Sequence, residues 1–147
     1  MKLVIQRVKS AKVTKTETDE VVGEIKLGLF ILLGIKKGDQ EKQVDELVNK
    51  IIKLRVISDK SDKMNLSVVD TKSDILLVSQ FTLYANTKDG NRPSFIDAED
   101  PNKAKVLYEY FVDSLKEKKI KVQTGSFGDY MKIDCILDGP VTIVLEN

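Results

Sequence analysis

Two runs of uninterrupted apolar residues, 29–33 and 75–78, constrain the fold of this chain more than any other feature. They read Leu-Phe-Ile-Leu-Leu and Ile-Leu-Leu-Val, and runs of this length and content are typical of β-strands that are buried on both faces. Strands of this kind lie in the interior of a sheet rather than at its edge. The sequence therefore predicts that both runs form buried, central strands.

The rest of the pattern adds shorter strands and two helices. Apolar residues recur at helical spacing over 44–52 and 104–115, with Asp39 and Asp100 placed to cap the first turns. We predict a single domain over residues 1–147 with a mixed α/β fold, in which about eight strands in mixed β-sheets and two helices form α/β/β layers. The other strands are predicted at 2–8, 11–16, 21–25, 54–57, 121–124, 131–137 and 141–145, with a weaker candidate at 66–69.

The composition excludes several kinds of chemistry. The chain has no histidine, so it cannot build a Ser-His or Cys-His pair or the usual histidine zinc sites. Its one cysteine, Cys135, has no partner within the chain and alternates with apolar residues, which predicts a small buried hydrophobe. Phosphate-loop and dinucleotide-binding motifs are also missing. We expect no metal and no cofactor.

Charge is nearly balanced, with 24 basic and 23 acidic residues. The chain therefore has no overall positive electrostatic field that would attract nucleic acid. A nucleic acid would have to meet a local patch, although lysine runs at helix ends more often form a solvated face. The N-terminal apolar run is too short for a signal peptide, and no segment is long enough to span a bilayer. A cytoplasmic location is expected. The candidate patches are Lys116, Lys118, Lys119 and Lys121, and separately Lys36 and Lys37.

The run at 75–78 ends abruptly in four residues that suggest a site: Ser79, Gln80, Phe81 and Thr82. Either hydroxyl would need a base to act as a nucleophile, and neither has a charged neighbour in this stretch. The Gln80 amide can donate to one ligand group and accept from another, or it can stabilise a turn. The Phe81 ring can stack on a base, but filling the core is the favoured interpretation.

A second candidate stretch, Gly139-Pro140-Val141-Thr142, opens the last apolar strand. X-Pro bonds are cis in only about 5–6% of cases, so the residues alone favour a trans bond. If the bond were cis, its flanking carbonyls could present a rigid wall without side chains to a ligand.

These stretches together resemble the D-aminoacyl-tRNA deacylases. The resemblance covers the whole chain and includes Gln6-Arg7-Val8 and Gly23-Glu24-Ile25 near its start. Its five main stretches stand in the family's order: Lys-Met-Asn-Leu-Ser at 63–67, Ser-Gln-Phe-Thr-Leu-Tyr-Ala at 79–85, Arg-Pro-Ser-Phe at 92–95, Thr-Gly and Phe-Gly within 124–128, and Gly-Pro-Val-Thr at 139–142.

The resemblance implies a cytoplasmic homodimer that hydrolyses the ester joining a D-amino acid, or wrongly attached glycine, to the terminal adenosine of tRNA. It implies no DNA or membrane partner. The catalytic pocket would be lined by Ser79, Gln80, Phe81 and Thr82. The substrate-binding part would comprise Gly139, Pro140, Thr142 and Arg7. Of these, Gly139-Pro140 would be a cis dipeptide inserted from the partner subunit to exclude L side chains, and Arg7 would hold it in place.

Several alternatives stay open. The pocket could work by positioning the ester and a water, assisted by the ribose 2′-hydroxyl of the substrate, or Thr82 could be the nucleophile. A protein of a different class, a non-catalytic RNA-binding or dimerisation module, could hold the terminal adenosine in the same pocket. A metal-dependent hydrolase is disfavoured by the missing histidines.

Overall fold

The computed structural model describes all 147 residues. Eight strands, three α-helices and one 3₁₀ turn follow one another along the chain. The strands are β1 (Lys2–Lys15), β2 (Val21–Ile25), β3 (Gly28–Gly34), β4 (Ile57–Ser58), β5 (Met64–Leu66), β6 (Asp74–Ser79), β7 (Val122–Thr124) and β8 (Met131–Glu146). The helices are α1 (Glu41–Ile51), α2 (Val68–Thr71) and α3 (Pro101–Glu117), and the 3₁₀ turn is Phe81–Tyr84.

Six of the strands form one mixed sheet, and β4 and β5 form a small separate pair. The strands β3, β6 and β7 run parallel to one another, whereas β1 is antiparallel to β2, β3 and β8. The two apolar runs lie in the adjacent strands β3 and β6, where almost every residue is buried. The prediction of two central strands is therefore confirmed. The long strand β8 pairs with β1 alone and forms an edge of the sheet.

Alternation of side chains separates two cores on opposite faces of the sheet. Leu3, Ile31 and Leu77 point to one face and pack under α1 and α3. Phe30 and Leu76 point to the other face, where β2 and the outer halves of β1 and β8 fold over them. The order of layers is helices, central sheet and a second β layer, which confirms the predicted α/β/β arrangement.

Some predicted boundaries differ from the structure. Segments 2–8 and 11–16 belong to one strand, β1, whose register with β8 shifts on either side of Val8. Likewise 131–137 and 141–145 are joined through Gly139 and Pro140 into β8. In each case the turn-forming residues are absorbed as irregularities within a strand rather than ending it.

Two further predictions near helix starts were wrong. Residues 66–69 were a strand candidate, but Val68 begins α2 because Ser67 and Asp70 form a capping box that satisfies the first backbone donors. Asp39 does not cap α1. The cap is Gln40, and the Asp39 carboxylate instead binds the amino group of Met1 at 3.0 Å. No helix is long and apolar enough to cross a membrane.

Candidate active site

The carboxyl ends of the three parallel strands meet at one edge of the sheet, where β3 ends at Gly34, β6 at Ser79 and β7 at Thr124. This edge is the usual ligand-binding position in sheets of this type, because the loops that leave parallel strands there converge around a crevice. The stretch predicted as a catalytic pocket, Ser79 to Thr82, lies at this edge.

Gln80 continues the sheet by one more hydrogen bond before the chain turns. Its backbone N–H donates to the Leu33 carbonyl at 2.8 Å, and its carbonyl accepts from Leu83 as the 3₁₀ turn begins. Gly34 makes this turn possible, since an added Cβ there would lie 3.0 Å from the Leu83 Cβ and 3.2 Å from the Gln80 carbonyl oxygen. The site therefore sits on a rigid junction between a central strand and a tight turn.

The side chains of Gln80 and Thr82 meet at this junction. The Gln80 Nε2 donates to the Thr82 Oγ1 at 2.6 Å. No charged side chain hydrogen-bonds to Thr82 or to Ser79. The Thr82 hydroxyl therefore has an amide neighbour but no base.

Phe81 does not fill the core, so the favoured interpretation of this ring was wrong. Its side chain is 57% exposed and meets Phe95 edge to face, with ring centroids 5.0 Å apart. Tyr84, at the other end of the same turn, is buried instead.

A groove of about 490 Å³ opens beside this edge, between α3 and the loop that follows β7. Tyr108 and Phe127 form an aromatic wall with their ring centroids 5.6 Å apart. Burial raises the pKa of the Tyr108 hydroxyl, which donates to the Leu77 carbonyl at 2.8 Å. Gly125 also donates to that carbonyl, so the groove adjoins the end of β6. Sequence analysis missed the groove because its two walls come from segments far apart in the chain.

The Gly139-Pro140 bond lies within β8 and is cis, so the trans bond favoured by the residues alone was wrong and the cis bond implied by the resemblance is confirmed. Both residues are exposed. Gly139 has a φ of +128°, and an added Cβ would lie 2.8 Å from a Val141 methyl group, so this position favours glycine. At Gly139 the dipeptide therefore presents backbone without a side chain to the surroundings.

Arg7 ties this dipeptide to the body of the protein. Its Nε lies 2.9 Å from an Asp138 carboxylate oxygen and 3.2 Å from the Asp138 carbonyl oxygen. Its Nη1 donates to the Val56 carbonyl at 2.9 Å and to the Ser58 hydroxyl at 3.1 Å. With only 12% of its side chain exposed, Arg7 links β8 to the segment after α1. Thr142, further along β8, donates to the Gln6 side chain at 3.3 Å.

The two predicted parts of the site are not brought together within one protomer. The strands β1 and β3 lie between β8, which carries Gly139-Pro140, and β6, which ends at Ser79. Three strand spacings amount to about 14 Å across the sheet. Any contact between the two parts would require a second copy of the chain.

The lysines singled out in the sequence are only partly free. Lys116 pairs with Asp113 and Lys121 with Asp74, whereas Lys118 and Lys119 are exposed without a carboxylate partner. Cys135 is half-buried against the second core, and burial raises the pKa of its thiol. No group of three or more potential metal ligands is clustered in the structure.

Comparison with known proteins agrees with this geometry. D-aminoacyl-tRNA deacylases of Thermosipho melanesiensis and Aquifex aeolicus are each 52% identical to the chain, covering all of it and 97% and 98% of their own lengths. A solved structure named c-Myc DNA Unwinding Element Binding Protein is 40% identical, with a TM-score of 0.92 over 100% of this chain and 99% of its own. A probable eukaryotic D-amino acid tRNA deacylase is only 13% identical but shares the fold, with a TM-score of 0.85 over 98% of this chain and 97% of its own.

A model of one protein family also matches nearly the full length of the chain. The model for D-Tyr-tRNA(Tyr) deacylase matches residues 4–146, a range that includes both the polar end of β6 and the Gly-Pro dipeptide of β8. The chain belongs to the D-Tyr-tRNA(Tyr) deacylase family.

Proposed function

We propose that this protein hydrolyses the ester bond of D-aminoacyl-tRNA, and of tRNA wrongly charged with glycine, in the cytoplasm. The observation that carries the proposal is the Gln80–Thr82 pair, held without any acid or base at the carboxyl edge of the parallel strands and beside an open groove. A site of this kind suits a reaction that needs positioning more than proton transfer by a side chain.

The groove is where the terminal adenosine would bind. Phe127 offers an aromatic face for the adenine ring, and the buried Tyr108 ring packs behind it. Lys105 and Lys116 line the same groove, where they pair with Glu109 and Asp113, and they would exchange these partners for the sugar-phosphate. The ester of the bound adenosine would then lie toward Ser79 and Gln80, since the groove adjoins the end of β6.

The chemistry would rest on backbone groups and on the substrate itself. The first N–H groups of the turn at Phe81 and Thr82 are not used within the turn, so they can donate to the oxyanion that develops on the ester carbonyl. Gln80 would orient the ester or the attacking water, and the ribose 2′-hydroxyl would assist proton movement. In this scheme Thr82 holds Gln80 in position and is not the nucleophile.

Chiral selection would come from a second protomer. The Gly139-Pro140 dipeptide is exposed and lies about 14 Å across the sheet from Ser79 in its own protomer, so it is free to enter the site of a partner. A wall of backbone would clash with an L side chain while passing glycine and D residues of any size. Discrimination would then be achieved by exclusion.

A patch on the sheet supports the homodimer. Val144 on β8, Val4 on β1 and Leu32 on β3 are directly paired neighbours that point away from the helices. The second β layer covers this strip only in part, since Val4 and Leu32 are half-buried and Val144 is 60% exposed. An apolar strip next to the Gly-Pro dipeptide is a suitable contact surface for a second copy.

Substitution of Gln80 distinguishes an enzyme from a module that only binds the terminal adenosine of tRNA. Gln80→Ala is expected to lower turnover roughly a hundredfold with little change in affinity for charged tRNA, because the amide acts mainly on the reacting ester. Gln123→Ala, on the neighbouring strand β7, is the matched control. Equal losses of turnover and affinity, or binding without any hydrolysis by the unmodified protein, would favour the module.

A further inference from the structure

We propose that Phe81 and Phe95, together with the loop 86–95, form a binding surface for the unpaired RNA strand that immediately precedes the terminal adenosine. This inference rests on the proposed function, because it concerns how the rest of the same substrate is held outside the pocket. It assigns a role to the two exposed rings, which the proposed chemistry does not use.

The two rings are exposed, although phenylalanine side chains are usually buried. Phe81 is 57% exposed although it lies between Gln80 and Thr82, and Phe95 is 36% exposed. Their centroids are 5.0 Å apart at an interplanar angle of 72°. Each ring steadies the other while the outer faces stay open, which is the arrangement of a stacking platform for bases.

The loop that carries Phe95 is fixed by hydrogen bonds at its base. Asn86 and Ser94 exchange two backbone hydrogen bonds of 2.8 Å each. Beyond Phe95 the chain is bonded back to the end of β3, from Lys37 N–H to the Asp97 carbonyl and from Glu99 N–H to the Ile35 carbonyl, at 3.0 Å each. The Phe95 ring is therefore preorganised, so little conformational entropy would be lost when a base stacks on it.

The charge of the loop suits a phosphate backbone. Lys88 and Arg92 are exposed and have no carboxylate partner within ion-pair distance, unlike Lys15, Lys116 and Lys121. The loop has one acidic residue against these two cations, Asp89. Free cations beside open aromatic rings are the combination with which proteins hold single-stranded nucleic acid without reading its sequence.

The position of this surface next to the pocket indicates which ligand it would bind. A tRNA ends in an unpaired strand, and once its terminal adenosine is in the groove the preceding nucleotides must leave across the adjoining surface. Phe81 is contiguous with Gln80, so the first nucleotide outside the pocket would meet this pair of rings. The surface would be engaged by a polynucleotide and left empty by a single esterified adenosine.

The test compares two substrates of different length, D-tyrosyl-tRNA and D-tyrosyl-adenosine. Phe95→Leu keeps an apolar contact with Phe81 but removes the ring. It is expected to raise KM for the charged tRNA roughly tenfold, with kcat unchanged and with no effect on the adenosine ester. Phe95→Tyr should restore the original KM. Leu27→Ala, an exposed apolar side chain at the opposite end of β3, is the control.

Charge substitutions give an independent measurement. Arg92→Ala should weaken binding of uncharged tRNA and reduce the slope of log affinity against log salt concentration by roughly 0.7, the value for one contact to a single-stranded phosphate. An unchanged slope would contradict a role for Arg92 at this surface.

Other results would overturn the inference. Equal losses on both substrates would mean that Phe95 only shapes the pocket, and a loss that disappears with D-alanyl-tRNA would mean that the rings hold the amino acid. A change in oligomeric state would assign the rings to the subunit contact. If the unmodified protein hydrolyses neither substrate, the proposed function is wrong, and weaker binding of uncharged tRNA by Phe95→Leu then decides this inference by itself.

Discussion

At the scale of single residues, the hydroxyl of Thr82 is the group whose role can be decided most sharply. It accepts a 2.6 Å hydrogen bond from the Gln80 amide and has no base beside it. A hydroxyl in this setting is a poor nucleophile, whereas it is well placed to orient Gln80.

Thr82→Val, which keeps the shape and removes the hydroxyl, is therefore expected to slow hydrolysis only about tenfold. A tRNA ending in 2′-deoxyadenosine should lose far more, because the assisting hydroxyl belongs to the substrate. Single-turnover rates on both substrates check this. Complete inactivity of Thr82→Val, or an acyl-enzyme detected by mass spectrometry, would instead identify Thr82 as the nucleophile.

Arg7 is the residue on which the position of the Gly-Pro dipeptide depends. Lysine keeps the charge but cannot contact Asp138, Val56 and Ser58 at once as the guanidinium does. We expect Arg7→Lys to lower the free energy of unfolding by about 2 kcal/mol and to increase release of L-amino acids relative to D-amino acids. Urea unfolding and parallel D and L assays measure the two effects. Unchanged selectivity would show that Arg7 does not position the dipeptide.

The sequence predicts which residues form the site, but it does not predict the directions in which their side chains point. The polar end of β6 was visible because a buried apolar run stopped in hydroxyl and amide groups. The outward direction of Phe81 depends on the 3₁₀ turn that follows, and local pattern does not distinguish an outward from an inward ring. The contacts of Arg7 reach Val56 and Asp138, which are far from it in the chain, so no local motif indicates them.

At the scale of elements, the short helix α2 shows how capping overrides propensity. Its segment begins with two valines, which favour a strand, but Ser67 and Asp70 bond each other's backbone N–H groups and start a helix instead. By contrast, α3 begins as predicted, since the Asp100 carboxylate accepts from the N–H groups of Asn102 and Lys103.

This capping box makes part of the stability depend on pH. The Asp70 carboxylate accepts hydrogen bonds from the Ser67 hydroxyl and from the Ser67 backbone N–H. These bonds, the first having the larger effect, hold the pKa of Asp70 below its ordinary value. A lowered carboxyl pKa in the folded state contributes stability that is present above about pH 4 and is lost as the pH falls through the folded pKa.

Ser67→Ala is expected to raise the pKa of Asp70 and to reduce the loss of stability on acidification, because the largest cause of the shift is gone. Urea unfolding between pH 7 and pH 2, with Asp70→Asn as the variant that cannot titrate, measures this. An Asp70 pKa that NMR titration finds unchanged in Ser67→Ala would contradict the interpretation.

At the scale of the whole molecule, two layers cover the central sheet unequally. The order of layers could be predicted because β3 and β6 are apolar on both faces. The partly exposed strip at Val144 could not be predicted, since it exists only where the strands β1, β3 and β8 lie side by side beyond the reach of β2.

Val144→Lys is expected to convert the proposed dimer to a monomer that is folded but inactive, because a charge would be buried in the contact and the partner's Gly-Pro dipeptide would be lost. Analytical ultracentrifugation and circular dichroism test the two parts, with Val106→Lys on the exposed face of α3 as the control. A fully active monomer would contradict a site shared between protomers.

The most direct measurement is the rate of amino acid release from one tRNA charged in parallel with D-tyrosine and with L-tyrosine. The unmodified protein should release D-tyrosine rapidly and leave the L ester intact. Gly139→Ala should lose activity or selectivity, since a methyl group there has no space and the φ of Gly139 disfavours a side chain. Equal release of both forms, or of neither, would contradict chiral hydrolysis by this protein.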